Sequence, residues 1–169
     1  MGRLSTKENK TLYQQFREEM GYSREKASEL LGWVSADRIE KIENEKSFPH
    51  PDEILAMSEV YKKPRLCNHY CATACPIGQE YVPEIKVKDL SQIVLEMLAS
   101  LNAVQKRQVR LIEIAADGQI SGDEIGDFVR IQEELEKISI TVETLQLWSE
   151  RMLATGVIDL ELYNVEKNK

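Results

Sequence analysis

The feature that most limits what this chain can become is the density of helix start and stop signals in its first third. Ser5-Thr6-Lys7-Glu8 reads as a capping box, with Ser5 able to cap and Glu8 able to reach back. A helix is expected from there to about Met20, with Leu12, Phe16 and Met20 on one face. Gly21 ends it. Ser23 then opens a short helix, Arg24 to Leu31, closed by Gly32. Ser35 opens a third, running to about Glu43 with Ile39 and Ile42 inward. After a loop containing Pro49, Pro51 suits the first turn of a fourth helix, Asp52 to Tyr61, which stops before Pro64. Helices this short bury little on their own. They can hold the second and third at a steep angle, leaving the third free to enter a major groove.

The rest of the chain reads differently. Residues 66–88 carry three cysteines and three glycine or proline breaks, and are expected to be an irregular junction with a short extended piece around Val82–Val87. Asp89-Leu90-Ser91-Gln92 is a second capping signature. Leu90, Val94, Met97, Leu101 and Val104 follow in steps of four and three, a heptad seam suited to dimerisation. That helix is expected to end near Asp117-Gly118. Ser121 to Glu124 opens another, with Ile125, Phe128, Ile131, Leu135 and Ile138 inward, and Thr141 is a candidate cap for a last helix. Val157 to Tyr163 alternates apolar and polar residues, as a short strand does. The expected class is all-α: a helix-turn-helix domain over 1–65, the junction 66–88, a helical hairpin or three-helix unit over 89–156, and a tail 157–169.

The run Gly21-Tyr22-Ser23-Arg24-Glu25-Lys26-Ala27-Ser28-Glu29-Leu30-Leu31-Gly32, followed by Arg38-Ile39-Glu40-Lys41-Ile42-Glu43-Asn44, resembles the lambda-repressor-like (XRE) helix-turn-helix family. The resemblance spans about residues 8–63. It implies a five-helix DNA-binding fold, usually dimeric, that regulates transcription. It also implies base contacts from the start of the third helix, at Ser35, Ala36, Asp37 and Arg38, and phosphate contacts from the start of the second, at Ser23 and Arg24; Lys41 and Lys46 are further candidates to meet phosphates. Three departures stand out: Arg24 occupies a position where the family usually has Gln, the turn Gly32–Ser35 is one residue long by comparison, and Asp37 places an acid at the start of the third helix. A carboxylate there is repelled by phosphate and favours only a cytosine amino group.

Cys67, Cys71 and Cys75 are the only cysteines. With His69 they make a candidate ligand set for zinc or an iron–sulfur cluster. Cys71-Ala72-Thr73-Ala74-Cys75-Pro76-Ile77-Gly78 also resembles a Cys-x3-Cys-Pro-Ile-Gly element of uncharacterised helix-turn-helix proteins of Firmicutes, a resemblance that implies no activity. On a straight helix the three thiols share a face but climb about 12 Å at about 1.5 Å per residue, too far for one ion or cubane. Three readings stay open: packing, a metal site in a curled segment, and a redox pair such as Cys67 with Cys71.

Charge sorts the partners. Residues 1–66 hold 12 Lys+Arg and 12 Asp+Glu, whereas residues 67–169 hold 10 and 17, so the second part is unsuited to DNA. Double-stranded DNA is therefore the partner expected of the first part alone. A homodimer is expected of the second. The rival expectation is an interaction or adaptor protein, with an unidentified protein partner, whose helix-turn-helix fold no longer reads DNA. No stretch is apolar enough to span a membrane and the N-terminus lacks a secretory core, so a cytoplasmic protein is expected. Met1-Gly2 with Thr6 meets only the minimum pattern for myristoylation. Glu113 to Glu124 outlines a calcium loop, but two of its usual carboxylate positions, at Glu113 and Ala115, are altered or missing. His50 sits between prolines with no nucleophile in view, and no phosphate-binding glycine loop occurs, so no enzyme is expected.

Overall fold

A computed structural model describes residues 9–169. Among them the chain is helical with no strand, and it divides into two compact units: the chain up to Glu84 together with Ser149–Lys169, and Ile85–Trp148.

The first unit begins with α1, Leu12–Glu19, whose cap is Thr11, accepting from the Gln14 amide. The box proposed at Ser5–Glu8 lies outside the described residues. Gly21 takes φ +72°, and its amide and that of Tyr22 close onto Glu18 and Arg17, a turn that an L side chain disfavours. Ser23 caps α2, Arg24–Leu31, by accepting from Lys26. Ser35 caps α3, Ala36–Glu43, by accepting from Arg38. Pro51 opens α4, Pro51–Val60, in which the Glu53 carboxylate accepts from the His50 amide. These elements enclose Tyr13, Phe16, Ala27, Leu31, Val34, Ile39, Ile42, Ile54, Met57 and Tyr61. Each large apolar side chain so buried contributes about 1.5–3 kcal/mol.

The core does not stop at residue 65. Leu66 is wholly buried in it, and Cys67 and Tyr70 pack against it. The stretch expected to be irregular holds two helices, α5 (Arg65–Thr73) and α6 (Pro76–Tyr81). Neither has a side-chain cap bond, and Pro76, which reads as a break in the sequence, instead stands in the first turn of α6. Gly78 explains the Cys-Pro-Ile-Gly element: a Cβ there would lie 2.1 Å from the Cys71 carbonyl oxygen, so α6 rests directly on the α5 backbone. Beyond α6 the chain is pinned to α5, where Asn68 donates to the Pro83 carbonyl at 3.0 Å and His69 meets the Glu84 carboxylate at 3.1 Å.

In the second unit α7, Leu90–Ala115, starts at the Asp89–Gln92 box. Its buried row is Ile93, Ser100 and Ile114, positions seven and fourteen apart. The next long helix, α8 (Ile125–Ala154), starts after the Ser121–Glu124 box and is tied to α7 by Arg110 Nε donating to Asp127 at 2.9 Å. No new helix begins at Thr141. Its hydroxyl donates back to the Lys137 carbonyl at 2.7 Å, and Thr144 does the same to Ile140, so both are absorbed within one continuous helix. The tail expected as a strand belongs to the first unit and forms α9, Leu160–Lys167, capped by Asp159 accepting from Leu162. That aspartate outweighed the alternating pattern.

Candidate nucleic-acid interface

The α2–α3 pair is held from below by one buried carboxylate. Glu43, the last residue of α3, is 1% exposed. It accepts from Arg17 of α1 through two bonds, Nε at 2.6 Å and Nη2 at 3.0 Å, and from Arg24 Nε of α2 at 2.9 Å. Arg17 also donates to the Tyr22 carbonyl, and the Thr11 hydroxyl to the Glu43 carbonyl. Burial alone lowers the Arg17 pKa, but the Glu43 hydrogen bond and charge outweigh it and raise the value. Tyr61, buried beside this pair, has its phenol pushed up, first by burial and then by the Glu43 charge. Two guanidinia and a carboxylate thus fasten three helices at one point.

Above this point lies the outward face. Ser23 and Ser35 spend their hydroxyls on caps, so each has limited capacity for another acceptor or donor. Asp37 is exposed and paired with Lys41, 2.7 Å away, one turn along α3. The Lys41 hydrogen bond holds the Asp37 carboxyl below its usual range. Ala36 is half-buried, and Lys46 is exposed in the loop that follows. Around them the acids Glu25, Glu29, Glu40 and Glu45 alternate with the bases Arg24 and Lys26.

Arg38 does not join that face in the way its position suggests. Its Nε and Nη2 each donate to Glu53 at 2.7 Å, Nη1 bonds Ser47 Oγ, and Nη2 also reaches the Phe48 carbonyl at 2.9 Å. The planar fork that suits a guanine edge is filled by a carboxylate of α4. Burial pushes the Glu53 carboxyl up, but the Arg38 hydrogen bond and the His50 amide more than offset it, leaving the value below the ordinary 4.5. The residues that sequence reasoning missed are therefore Arg17, Glu43 and Glu53, the supports rather than the readers. Glu43 does stand in the Ile-Glu-Lys-Ile-Glu-Asn ending that carried the resemblance, but the sequence does not say which arginine it meets.

The cysteines do not form the expected ligand set. Among the described residues no three His, Cys, Asp or Glu side chains converge as a metal site. The reason is helical geometry: at about 100° per residue, His69 points about 160° away from both Cys67 and Cys71. It packs edge-on to the Tyr13 ring at 5.9 Å and bonds Glu84 instead. Cys71 has neighbours in Cys75 and Cys67, and its thiol is pushed up, by burial first and then by them.

An all-helical unit in which a capped eight-residue helix, a tight turn and a second capped helix stand over one shared core is a helix-turn-helix domain. Residues 14–65 match the family model described as Helix-turn-helix, and this segment is a domain of the lambda-repressor-like (XRE) type. No curated protein and no solved structure matches the chain. No helix among the described residues is long and apolar enough to cross a membrane.

Proposed function

We propose that this protein is a cytoplasmic, sequence-specific DNA-binding transcriptional regulator that acts as a homodimer, not an enzyme. The observation that carries the reading is the match of residues 14–65 to the helix-turn-helix family, over α2 and α3 whose outer faces are open to solvent. In this reading Ser35, Ala36 and Asp37 meet base edges, with Asp37 favouring a cytosine amino group, while Arg24, Lys41 and Lys46 meet phosphates. Dimerisation sets two copies of α3 about one DNA turn apart.

The dimer reading draws on α7. Leu90, Val94 and Leu101 are 40%, 42% and 47% exposed, and Leu98, Val109 and Ile112 lie open on the same side. Met97 and Val104 are more buried, so the seam shifts from the one expected and runs through Leu90, Val94, Leu98 and Leu101.

The test is enrichment of duplexes from a random-sequence pool by the purified full chain at low salt. A regulator enriches one sequence class, and its affinity falls steeply as salt rises. Absence of enrichment and of binding at low salt removes the regulator reading. It favours instead an adaptor that keeps the fold for contacts with another protein, a reading that the engaged Arg38 and the mixed charge of the α2–α3 face support.

A further inference from the structure

We propose that Cys71 and Cys75 are a reversible dithiol–disulfide pair, closed by hydrogen peroxide and seated at the corner between α5 and α6. The pair stands whether or not the domain reads DNA.

Three thiols fall between residues 67 and 75, and the fold treats them differently. Cys67 and Cys71 both lie inside the regular turns of α5, one turn apart. Their Cα–Cβ bonds run parallel, tilted toward the start of the helix, and Cβ atoms so spaced are about 5–6 Å apart. A disulfide needs about 3.8 Å. Cys67 is also packed against the core of the first unit, which resists such a shift.

Cys75 is placed otherwise. α5 ends at Thr73, and the Ala74 and Cys75 amides both turn back to donate to the Tyr70 carbonyl, at 2.9 and 3.1 Å. This holds Cys75 over the last turn of α5, the turn that contains Cys71. Its backbone is extended, at φ −84° and ψ 120°, and Pro76 favours that conformation, so its Cβ escapes the common tilt of the helix. The chain is tied down beyond it as well. Gly78 rests on the Cys71 carbonyl, and the Gln79 side-chain amide donates to the Thr73 carbonyl at 2.6 Å. The segment 71–78 is thus pinned at both ends, with Cys75 between. The two thiols sense each other: burial, and then Cys75 ahead of Cys67, push the Cys71 thiol up. Both side chains are half-buried, which leaves them open to a molecule as small as a peroxide.

The chemistry closes without another reactant. One thiolate attacks a peroxide oxygen, the O–O bond breaks, and a water and a sulfenic acid result. The second thiolate attacks that sulfur, the S–S bond forms, and the sulfenic oxygen leaves as a second water. Two thiols are oxidised and one hydrogen peroxide is reduced. In the reducing cytoplasm proposed above, thiol exchange reopens the bond, so the dithiol is the resting state. When closed, the bond joins the end of α5 to the start of α6 within the unit that holds the helix-turn-helix.

The test uses the full chain, reduced, freed of reductant and treated with hydrogen peroxide. Remaining thiols are alkylated after denaturation and counted by mass. The wild type is expected to lose two of its three free thiols to a bond within one chain and to regain them with dithiothreitol. Cys67→Ser should still close, whereas Cys71→Ser and Cys75→Ser should form no bond within the chain. Equilibration against reduced and oxidised glutathione reads the geometry. Gly78→Ala, which lifts α6 from the Cys71 carbonyl, should lower the closing constant severalfold, and so should unfolding of the wild type in urea. Retention of all three thiols, a bond between chains, a bond that survives Cys75→Ser, or equal closing constants in the folded and unfolded chain overturns the proposal.

Discussion

At the scale of single residues, the domain is governed by which carboxylate each arginine finds. Arg38 supplies the clearest case. Its position at the start of α3 reads as a base contact, yet its fork is closed on Glu53. Arg38→Ala should therefore lower the stability of the helix-turn-helix domain by about 1–3 kcal/mol, the range for a charged hydrogen-bonded pair, seen as a lower thermal midpoint. The same pair sets an acid limit. Glu53 has a folded-state pKa below its ordinary 4.5, so the stability it contributes is present above that value and is lost as pH falls through the lowered one. Thermal midpoints should drop on acidification below about 4.5, and Glu53→Gln should start lower and show a shallower fall. An equally steep fall in that variant would assign the acid sensitivity to other carboxylates, of which Glu18, held down by Lys10 and Gln14 against the effect of its burial, is the next candidate.

At the scale of elements, the informative region is α5 and α6. Leu66 belongs to the core of the first unit, so Leu66→Ala should cost about 2–5 kcal/mol of that unit's stability, measured by denaturant unfolding. A cost within about 0.5 kcal/mol, the size of an ordinary surface substitution, would place α5 outside the cooperative domain. Gly78→Ala forces a methyl onto the Cys71 carbonyl, and neither backbone can yield without separating the helices. It should destabilise the α5–α6 corner, read as faster hydrogen exchange at the Ala74 and Cys75 amides, which bond to the Tyr70 carbonyl. The cysteines beside this corner are partly buried, and among the described residues no metal-ligand set converges there.

At the scale of the whole molecule, charge is divided along the sequence, between residues 1–66 and residues 67–169. The first stretch carries the helix-turn-helix, and the later part of the chain carries the acidic excess and the open apolar side of α7. An apolar stripe of this length is unusual on a monomer's surface. Leu101→Asp should halve the mass seen by light scattering and, by unlinking the two reading helices, weaken DNA binding. An unchanged mass would show that α7 does not form the dimer contact.

Much of this architecture was legible in the sequence. Ser23, Ser35, Gly21 and Gly32 marked α2 and α3 because caps and positive-φ turns are local devices, complete within four or five residues. The Asp89 box opened α7 for the same reason. The helices at 65–81 were not legible, because they rest on packing under Leu66 and Gly78 rather than on caps. Thr141 misled because its hydroxyl serves a cap and a back-bond equally well. The sequence by itself determined where the chain turns and that its first third forms a helix-turn-helix. Only the tertiary structure decided how each arginine is used, because folding brings Glu43 beside both Arg17 and Arg24 and Glu53 beside Arg38, from up to 26 residues away.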